Sequence, residues 1–310
     1  MTFEISQKSN YVADNEKSES EAVDDVEDVV PGLYDEWEMI QRPLSLGISF
    51  SGAGFLGIYH FGVIAALKKH ANSLVNKISR YAGASAGSLA ACIMAVAPEK
   101  LDDAKTFLIA TGEHINQLKR GPLNRDYDIM MDLETYLRKS LPEDAYVKAD
   151  GRLFVSLTSA VSISKISNIV SSSYTSNDHL IQCLLASCYI PMYAKSDAPS
   201  LEHPDSDGIH RTTRMIDGGF TDNLPLFHDI PTISVSPFSG NTDISPNETK
   251  GSPRLLFTVN KLPVHLSAYN IRRGVHALFP PRKEVLIEYY DLGFSDCVDY
   301  LKRTKEYDKI

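Results

Sequence analysis

A chain of 310 residues, 43% hydrophobic and 23% charged, has ordinary globular composition and room for one large α/β domain or two small ones. Its net charge of −9 is lopsided: residues 1–40 hold twelve Asp/Glu against two Lys, so the other 270 residues sum to about +1. A body that close to neutral lacks the basic excess that phosphate backbones require, which argues against a nucleic-acid partner.

The N-terminus shows no basic start followed by an apolar core, so no secretory signal is expected. The longest nearly apolar run, Ala86 to Ala97, is about half of what spans a bilayer. Cys92, Cys183, Cys188 and Cys297 have no C-x-x-C or metal-ligand spacing and read as reduced core residues of a cytosolic protein.

Residues 1–32 are rich in Ser, Glu and Asp and bury too little apolar surface to offset the entropy of ordering; a disordered acidic tail is expected there. Order is expected to begin near Leu33, Tyr34 and Trp37, with one domain over 33–310. From Leu44 the pattern alternates, with Leu44, Leu46, Ile48 and Phe50 between Ser45, Gly47, Ser49 and Ser51, the period of a strand. The glycine-rich run Gly52-Ala53-Gly54-Phe55-Leu56-Gly57 leads into a helix over Ile58–Ala71, whose last residues include Lys68, Lys69 and His70, suited to the negative pole of a helix. A second strand, Ile78–Ala82, runs into Gly83-Ala84-Ser85-Ala86-Gly87 and an apolar helix that Pro98 ends. This is a β-α-β unit, and its right-handed crossover brings the glycine-rich loop and the Ser85 turn to one carboxyl edge of a parallel sheet, where α/β proteins bind ligands.

Further on, strands are expected at Leu153–Thr158, Arg214–Ile216 and Thr232–Ser236, and a helix at Asp178–Ser187 capped by Ser176 or Asn177. Residues 195–213 and 236–252 read as surface loops, and Arg282–Arg303 as an amphipathic helix broken near Gly293.

G-x-S-x-G between a strand and a helix is a nucleophile-elbow pattern. Side chains at Gly83 and Gly87 would obstruct so tight a turn, which lifts the Ser85 hydroxyl to the sheet edge and aims a helix N-terminus at it. The loop Gly52–Gly57 also fits a dinucleotide-binding turn, but that reading needs an acid about twenty residues on. No Asp or Glu lies between Gly57 and Glu99. An oxyanion hole fits better, with backbone N–H groups near Ala53 and Gly54 joined by that of Ala86. A serine nucleophile needs a base. Asp217-Gly218-Gly219, at the end of a short strand, supplies one acid and Asp222 a competing one; His228 is the histidine best placed for a Ser-Asp-His order.

With these segments in place the chain resembles the patatin-like phospholipase domain family over roughly Leu44 to the C-terminus, in particular the branch of adipose triglyceride lipase and a shorter retinyl-ester and acylglycerol hydrolase. The resemblance rests on Gly54-Phe55-Leu56-Gly57-Ile58-Tyr59-His60, Tyr81 to Leu89, Asp217-Gly218-Gly219, Ile233 to Gly240 and Ala277-Leu278-Phe279-Pro280-Pro281. It implies a three-layer α/β/α sandwich around a mainly parallel sheet. It implies a Ser85–Asp217 dyad without histidine, an oxyanion hole at Gly52, Ala53, Gly54, Gly57 and Ala86, and no metal or organic cofactor. Many members carry Lys or Arg where this chain has Leu56, and the absence of that cation tilts the expectation toward neutral lipids such as triacylglycerol or retinyl esters. Expected partners are a lipid ester and, peripherally, a membrane or lipid-droplet surface, with no nucleic acid and an unidentified protein activator left open. Acyl transfer to a lipid alcohol is open to the same acyl-enzyme. The rival readings are a phospholipase A and a catalytically weak lipid-binding regulatory protein.

Overall fold

The computed structural model describes residues 45–308 except 125, 163–164, 192, 195–196, 205–209 and 248–254. The acidic tail expected over 1–32, and Leu33, Tyr34 and Trp37, lie outside the described residues.

The centre of the molecule is a parallel sheet. Strand β1 (Leu46–Phe50) pairs on one side with β2 (Ile78–Ala84) and on the other with β7 (Thr232–Val235), and β2 pairs in parallel with β3 (Leu153–Ser162). The alternation that marks β1 is chemical rather than environmental, since Ser49 is as buried as Ile48 and Phe50. Central parallel strands are covered on both faces, so the serines serve as small residues under packed neighbours.

The far edge is antiparallel. Strand β4 (Lys165–Ser171) takes one edge of β3 from Val155 to Ser162. The other edge is shared: β2 occupies it up to Ala84 opposite Ser156, and β6 (His210–Asp217) takes over with Asp217 opposite Leu157. One of these strands is parallel to β3 and the other antiparallel, so their C-terminal ends meet head to head. Strand β5 (Ser200–Pro204) pairs with β6, so a hairpin stands where a surface loop over 195–213 was expected. Pro199, Asp205 and Ser206 gave that stretch its turn-like composition, yet Leu201 and Met215 bury their side chains.

Helices flank the sheet. Helix α1 (Gly57–His70) joins β1 to β2 and is apolar nearly all round, as a helix covered on all sides must be. After β2 come α2 (Ala86–Val96), α3 (Leu101–Gln117) and α4 (Ile129–Ser140), and after β4 comes α5 (Asn177–Ser187). Of the two candidate caps for α5, Ser176 does the work, its hydroxyl accepting the His179 N–H at 3.1 Å. Beyond β7 a hairpin, β8 (Leu256–Val259) and β9 (Leu262–His265), and helix α6 (Ala268–Leu278) were not anticipated. The hairpin turns on Asn260 and Lys261, both with positive φ, 47° and 68°, the geometry of a two-residue type I′ turn without its usual glycine.

The last helix, α7 (Lys283–Thr304), runs unbroken through Gly293. Glycine there serves close approach: a Cβ on Gly293 would lie 2.1 Å from the Tyr59 carbonyl oxygen, and one on Gly62 2.0 Å from that of Tyr290. The Tyr59 hydroxyl then donates to Asp296 across the same interface at 2.7 Å.

Gly62→Ala and Gly293→Ala are each expected to lower the free energy of unfolding by about 1–3 kcal/mol through overpacking. In urea titrations the double variant is expected to cost less than the sum, because one separation of the helices relieves both clashes.

Candidate active site

Ser85 sits between β2 and α2 with φ 53° and ψ −132°, a conformation that side chains rarely adopt. Its neighbours explain the elbow's sequence. A Cβ on Gly83 would meet the Gly87 carbonyl carbon and oxygen at 2.4 Å, and one on Gly87 the Phe50 carbonyl oxygen at 2.2 Å. The Ser88 hydroxyl donates back to the Ser85 carbonyl at 2.7 Å and ties down the first turn of α2. Strain of this kind costs on the order of 1–3 kcal/mol and persists only where surrounding contacts hold it.

Those contacts come from the end of α5. The Ser85 N–H donates to the Ser187 hydroxyl at 2.9 Å, and that hydroxyl donates to the Ser156 carbonyl at 2.7 Å. Two residues on, the Tyr189 carbonyl accepts the Asp217 N–H at 2.8 Å, while the Thr158 hydroxyl donates to the Asp217 carbonyl at 2.8 Å. The Ser187-Cys188-Tyr189 run therefore braces both candidate catalytic residues. Its middle member is not a remote core residue. The Cys188 thiol lies beside the Ser85 and Ser88 hydroxyls, and burial, with the Asp217 charge adding to it, holds its pKa far above the ordinary thiol value. Sequence reasoning missed this brace, which carries no motif.

The Asp217 side chain is buried, and its carboxyl lies within interaction range of the Ser85 hydroxyl. Its Oδ1 also accepts the Gly219 N–H at 2.8 Å. Burial pushes this carboxyl up to about 6, and the Ser85 hydroxyl and Gly219 N–H beside it hold it from going higher. Gly218 lets the chain turn against β3, where a Cβ would stand 2.0 Å from the Ser156 carbonyl oxygen. The competing acid, Asp222, is engaged elsewhere: it accepts the Leu224 N–H at 3.3 Å and the Lys261 ammonium at 2.7 Å. His228 is exposed and does not line the cleft described below.

The glycine-rich loop faces the elbow, and a Cβ on Gly57 would lie 3.0 Å from that of Ala86. Two of its expected donors are occupied: the Gly52 N–H donates to the Asn223 carbonyl at 3.0 Å, and the Gly57 N–H caps the preceding turn on Gly54 and Phe55. Among the described residues the N–H groups of Ala53, Gly54 and Ala86 have no protein acceptor, and all three residues border the cleft beside Ser85. Behind the loop the His60 Nε2–H donates to the Ser51 carbonyl at 2.8 Å, and burial pushes its pKa down to about 4, so the imidazole is a neutral prop.

A cleft of about 770 Å³ opens over Ser85 and Asp217. It runs along α2 past Leu89 and Ile93 into the wedge between α3 and α4, where Phe107 and Leu133 line it, and its mouth is framed by Phe257 and Ile271. Leu56 does not reach it. That side chain is fully buried in the core, so position 56 gives no geometric basis for a preference for neutral substrates. The cleft itself supplies one. Among the described lining residues the only Lys or Arg is Lys100, beyond the far end of α2, about 16 Å from the elbow by helix rise, and it is paired with Asp103 at 3.2 Å.

A strained serine on a strand-to-helix turn, beside a buried carboxyl at the foot of an apolar cleft, is an arrangement of the kind that α/β hydrolytic enzymes use. Comparison with known proteins agrees. The Patatin-like phospholipase model matches residues 48–229. Human patatin-like phospholipase domain-containing protein 4 is 38% identical over 83% of this chain and 96% of its own length. Rat patatin-like phospholipase domain-containing protein 2 is 36% identical over 86% of this chain, which spans 52% of it. Human omega-hydroxyceramide transacylase is 34% identical over 83% of this chain and 46% of its own length. The chain belongs to the patatin-like phospholipase family, whose members include lipid acyl hydrolases.

Ser187→Ala leaves the buried Ser85 N–H and Ser156 carbonyl without their shared partner. It is expected to cost about 1–3 kcal/mol of stability, read by thermal unfolding. Because it loosens the elbow rather than the cleft, hydrolysis of a soluble ester is expected to fall in kcat more than it rises in KM.

Proposed function

We propose that this chain hydrolyses carboxylic esters of neutral lipids, with Ser85 as nucleophile and Asp217 as its base. The observation that carries this reading is the strained Ser85 turn beside a buried Asp217 carboxyl in a cleft whose described lining has no cation near them. A phosphate headgroup brings a negative charge that this site does little to balance, whereas an acyl chain and a neutral alcohol suit its walls.

The chemistry follows from the geometry. Asp217 takes the Ser85 proton as Oγ attacks the ester carbonyl carbon. The N–H groups of Ala53, Gly54 and Ala86 receive the negative charge that moves to the carbonyl oxygen. The intermediate collapses, the C–O bond to the alcohol breaks, and Asp217 returns the proton to the departing alkoxide. A water then gives its proton to Asp217 and attacks the acyl-Ser85 ester, and Ser85 leaves with that proton. A lipid alcohol in place of the water makes the reaction a transfer, a reading favoured by the likeness to omega-hydroxyceramide transacylase.

Purified protein offered triacylglycerol, retinyl ester, monoacylglycerol and phosphatidylcholine at matched interfacial concentration tests the substrate class. Neutral esters are expected to turn over faster, and fastest hydrolysis of phosphatidylcholine would overturn the preference. Ser85→Ala and Asp217→Asn are each expected to lower kcat by roughly 10³-fold or more, whereas His228→Ala leaves it near wild type. An equally damaging, folded His228→Ala variant would replace the dyad with a triad.

The base works only when ionised. Activity on a soluble ester is therefore expected to fall as pH drops through about 6, the value burial sets for Asp217, and to level off above it. Stability runs the other way. A carboxyl raised in the folded state makes the native protein bind more protons than the unfolded chain between its ordinary 3.8 and about 6, so stability declines across that window as pH rises. Asp217→Asn is accordingly expected to be more stable than wild type at neutral pH, on the order of 1–3 kcal/mol, with the gain fading below pH 4.

A further inference from the structure

Helix α6 is inside out. An amphipathic helix ordinarily buries its apolar stripe, but here Asn270 and Arg273 are the buried side chains, at 9% and 8% exposure, while Ile271 and Val275 stand 63% and 53% exposed. The helix is held by polar contacts. The Asn270 carboxamide accepts the Ser239 N–H at 2.9 Å and the Arg273 guanidinium at 3.0 Å, and donates to the Ser239 and His265 carbonyls at 2.7 and 2.8 Å. Ile271, Val275 and Leu278, spaced i, i+4 and i+7, are left as an apolar stripe facing outward.

The neighbouring hairpin adds to it. Every residue from Leu255 to Lys261 is exposed, among them Leu256, Phe257 and Val259. Its tip is pinned beside the candidate acid by the Asn260 carboxamide, which donates to the Gly219 carbonyl at 2.7 Å, and by the Lys261–Asp222 ion pair. Phe257, Val259, Ile271 and Leu278 also line the cleft, so this exposed apolar ground is continuous with the way in to Ser85.

Its charge is distinctive too. From Thr249 to Lys283 the sequence has seven Lys/Arg and no Asp or Glu; Lys250 and Arg254 lie outside the described residues, Arg273 is buried, and Lys261 and Lys283 pair with Asp222 and Glu113. Arg272, next to Ile271 on α6, and Arg282, four residues past the end of that helix, are exposed. Apolar side chains flanked by basic ones are how a protein face enters the headgroup layer of an anionic lipid surface. A second copy of the chain would set these cations against themselves, so charge disfavours a self-complementary dimer through this face.

We propose that the β8–β9 hairpin and α6 form the face by which the protein docks on an anionic lipid surface, with the mouth of the cleft against the lipid. This rests on the lipid-hydrolase reading for its purpose but is tested without catalysis. Full-length Ser85→Ala protein is sedimented with vesicles of phosphatidylcholine alone and of phosphatidylcholine with about 30 mol% phosphatidylserine. Binding is expected to be tighter to the anionic vesicles and to weaken in high salt. Leu256→Ser/Tyr269→Ser/Val275→Ser, at exposed positions that do not line the cleft, is expected to lose at least about tenfold in vesicle partition. In the otherwise wild-type chain the same triple variant keeps its rate on a soluble short-chain ester. Arg272→Glu is expected to reduce binding to the anionic vesicles selectively. Hydrogen exchange needs no variant: amides of 255–279 are expected to gain protection when anionic vesicles are added to the Ser85→Ala chain. Unchanged vesicle binding by the triple variant and by Arg272→Glu, or protection that appears elsewhere instead, would overturn the proposal, as would a dimer in solution that the triple variant dissociates. Loss of ester hydrolysis in every assay with vesicle binding intact would instead count against the hydrolase reading alone.

Discussion

The arrangement turns on one edge of one strand. Strand β3 offers the same edge to β2, arriving in parallel, and to β6, arriving antiparallel, and the two stop within a residue of each other at Ser156 and Leu157. The backbone that follows β2 carries Ser85, and the last residue of β6 is Asp217, so their side chains meet where the two ladders end. A residue pair 132 positions apart in sequence is thereby placed by main-chain hydrogen bonds, which tolerate little displacement.

That junction works against folding and needs support. A serine with φ 53° and a carboxylate removed from water each raise the energy of the native state. The hydroxyls of Ser187, Thr158 and Ser88, the Tyr189 carbonyl and the absence of side chains at Gly83, Gly87 and Gly218 together hold the backbone in place. The same burial that destabilises the Asp217 carboxylate makes it a stronger proton acceptor than a solvated aspartate, so the cost and the chemistry proposed for it have one cause.

The rest of the molecule divides by what it contributes to this junction. Helices α2, α3 and α4 supply apolar walls; the glycine-rich loop, propped by neutral His60, presents amides. The hairpin and α6 are fastened by Asn260, Lys261 and Asn270 through hydrogen bonds and an ion pair, with Leu262 as the buried apolar residue of the hairpin. Holding an element by polar contacts leaves its apolar residues unspent, which explains how so much of α6 stays exposed at the mouth of the cleft.

By itself the amino-acid sequence determined the β-α-β core, the elbow at Ser85, the glycine-rich loop and the choice of Asp217 as an acid at a strand end. Each of these is written in local spacing: alternation for β1, G-x-S-x-G for the turn, Asp-Gly-Gly for the close approach to β3. Only the tertiary structure decided that β6 meets β2 head-on, that Asp222 belongs to Lys261, that Leu56 points into the core, and that Cys188 touches the candidate nucleophile. It also extended α7 through Gly293 and replaced an expected loop with the β5–β6 hairpin. These outcomes depend on which distant segments share an edge or a cavity. A strand's partner, a glycine's neighbour and an aspartate's counter-ion come from elsewhere in the chain, and residue patterns of period 2 or 3.6 report only which face an element buries, not what it is buried against.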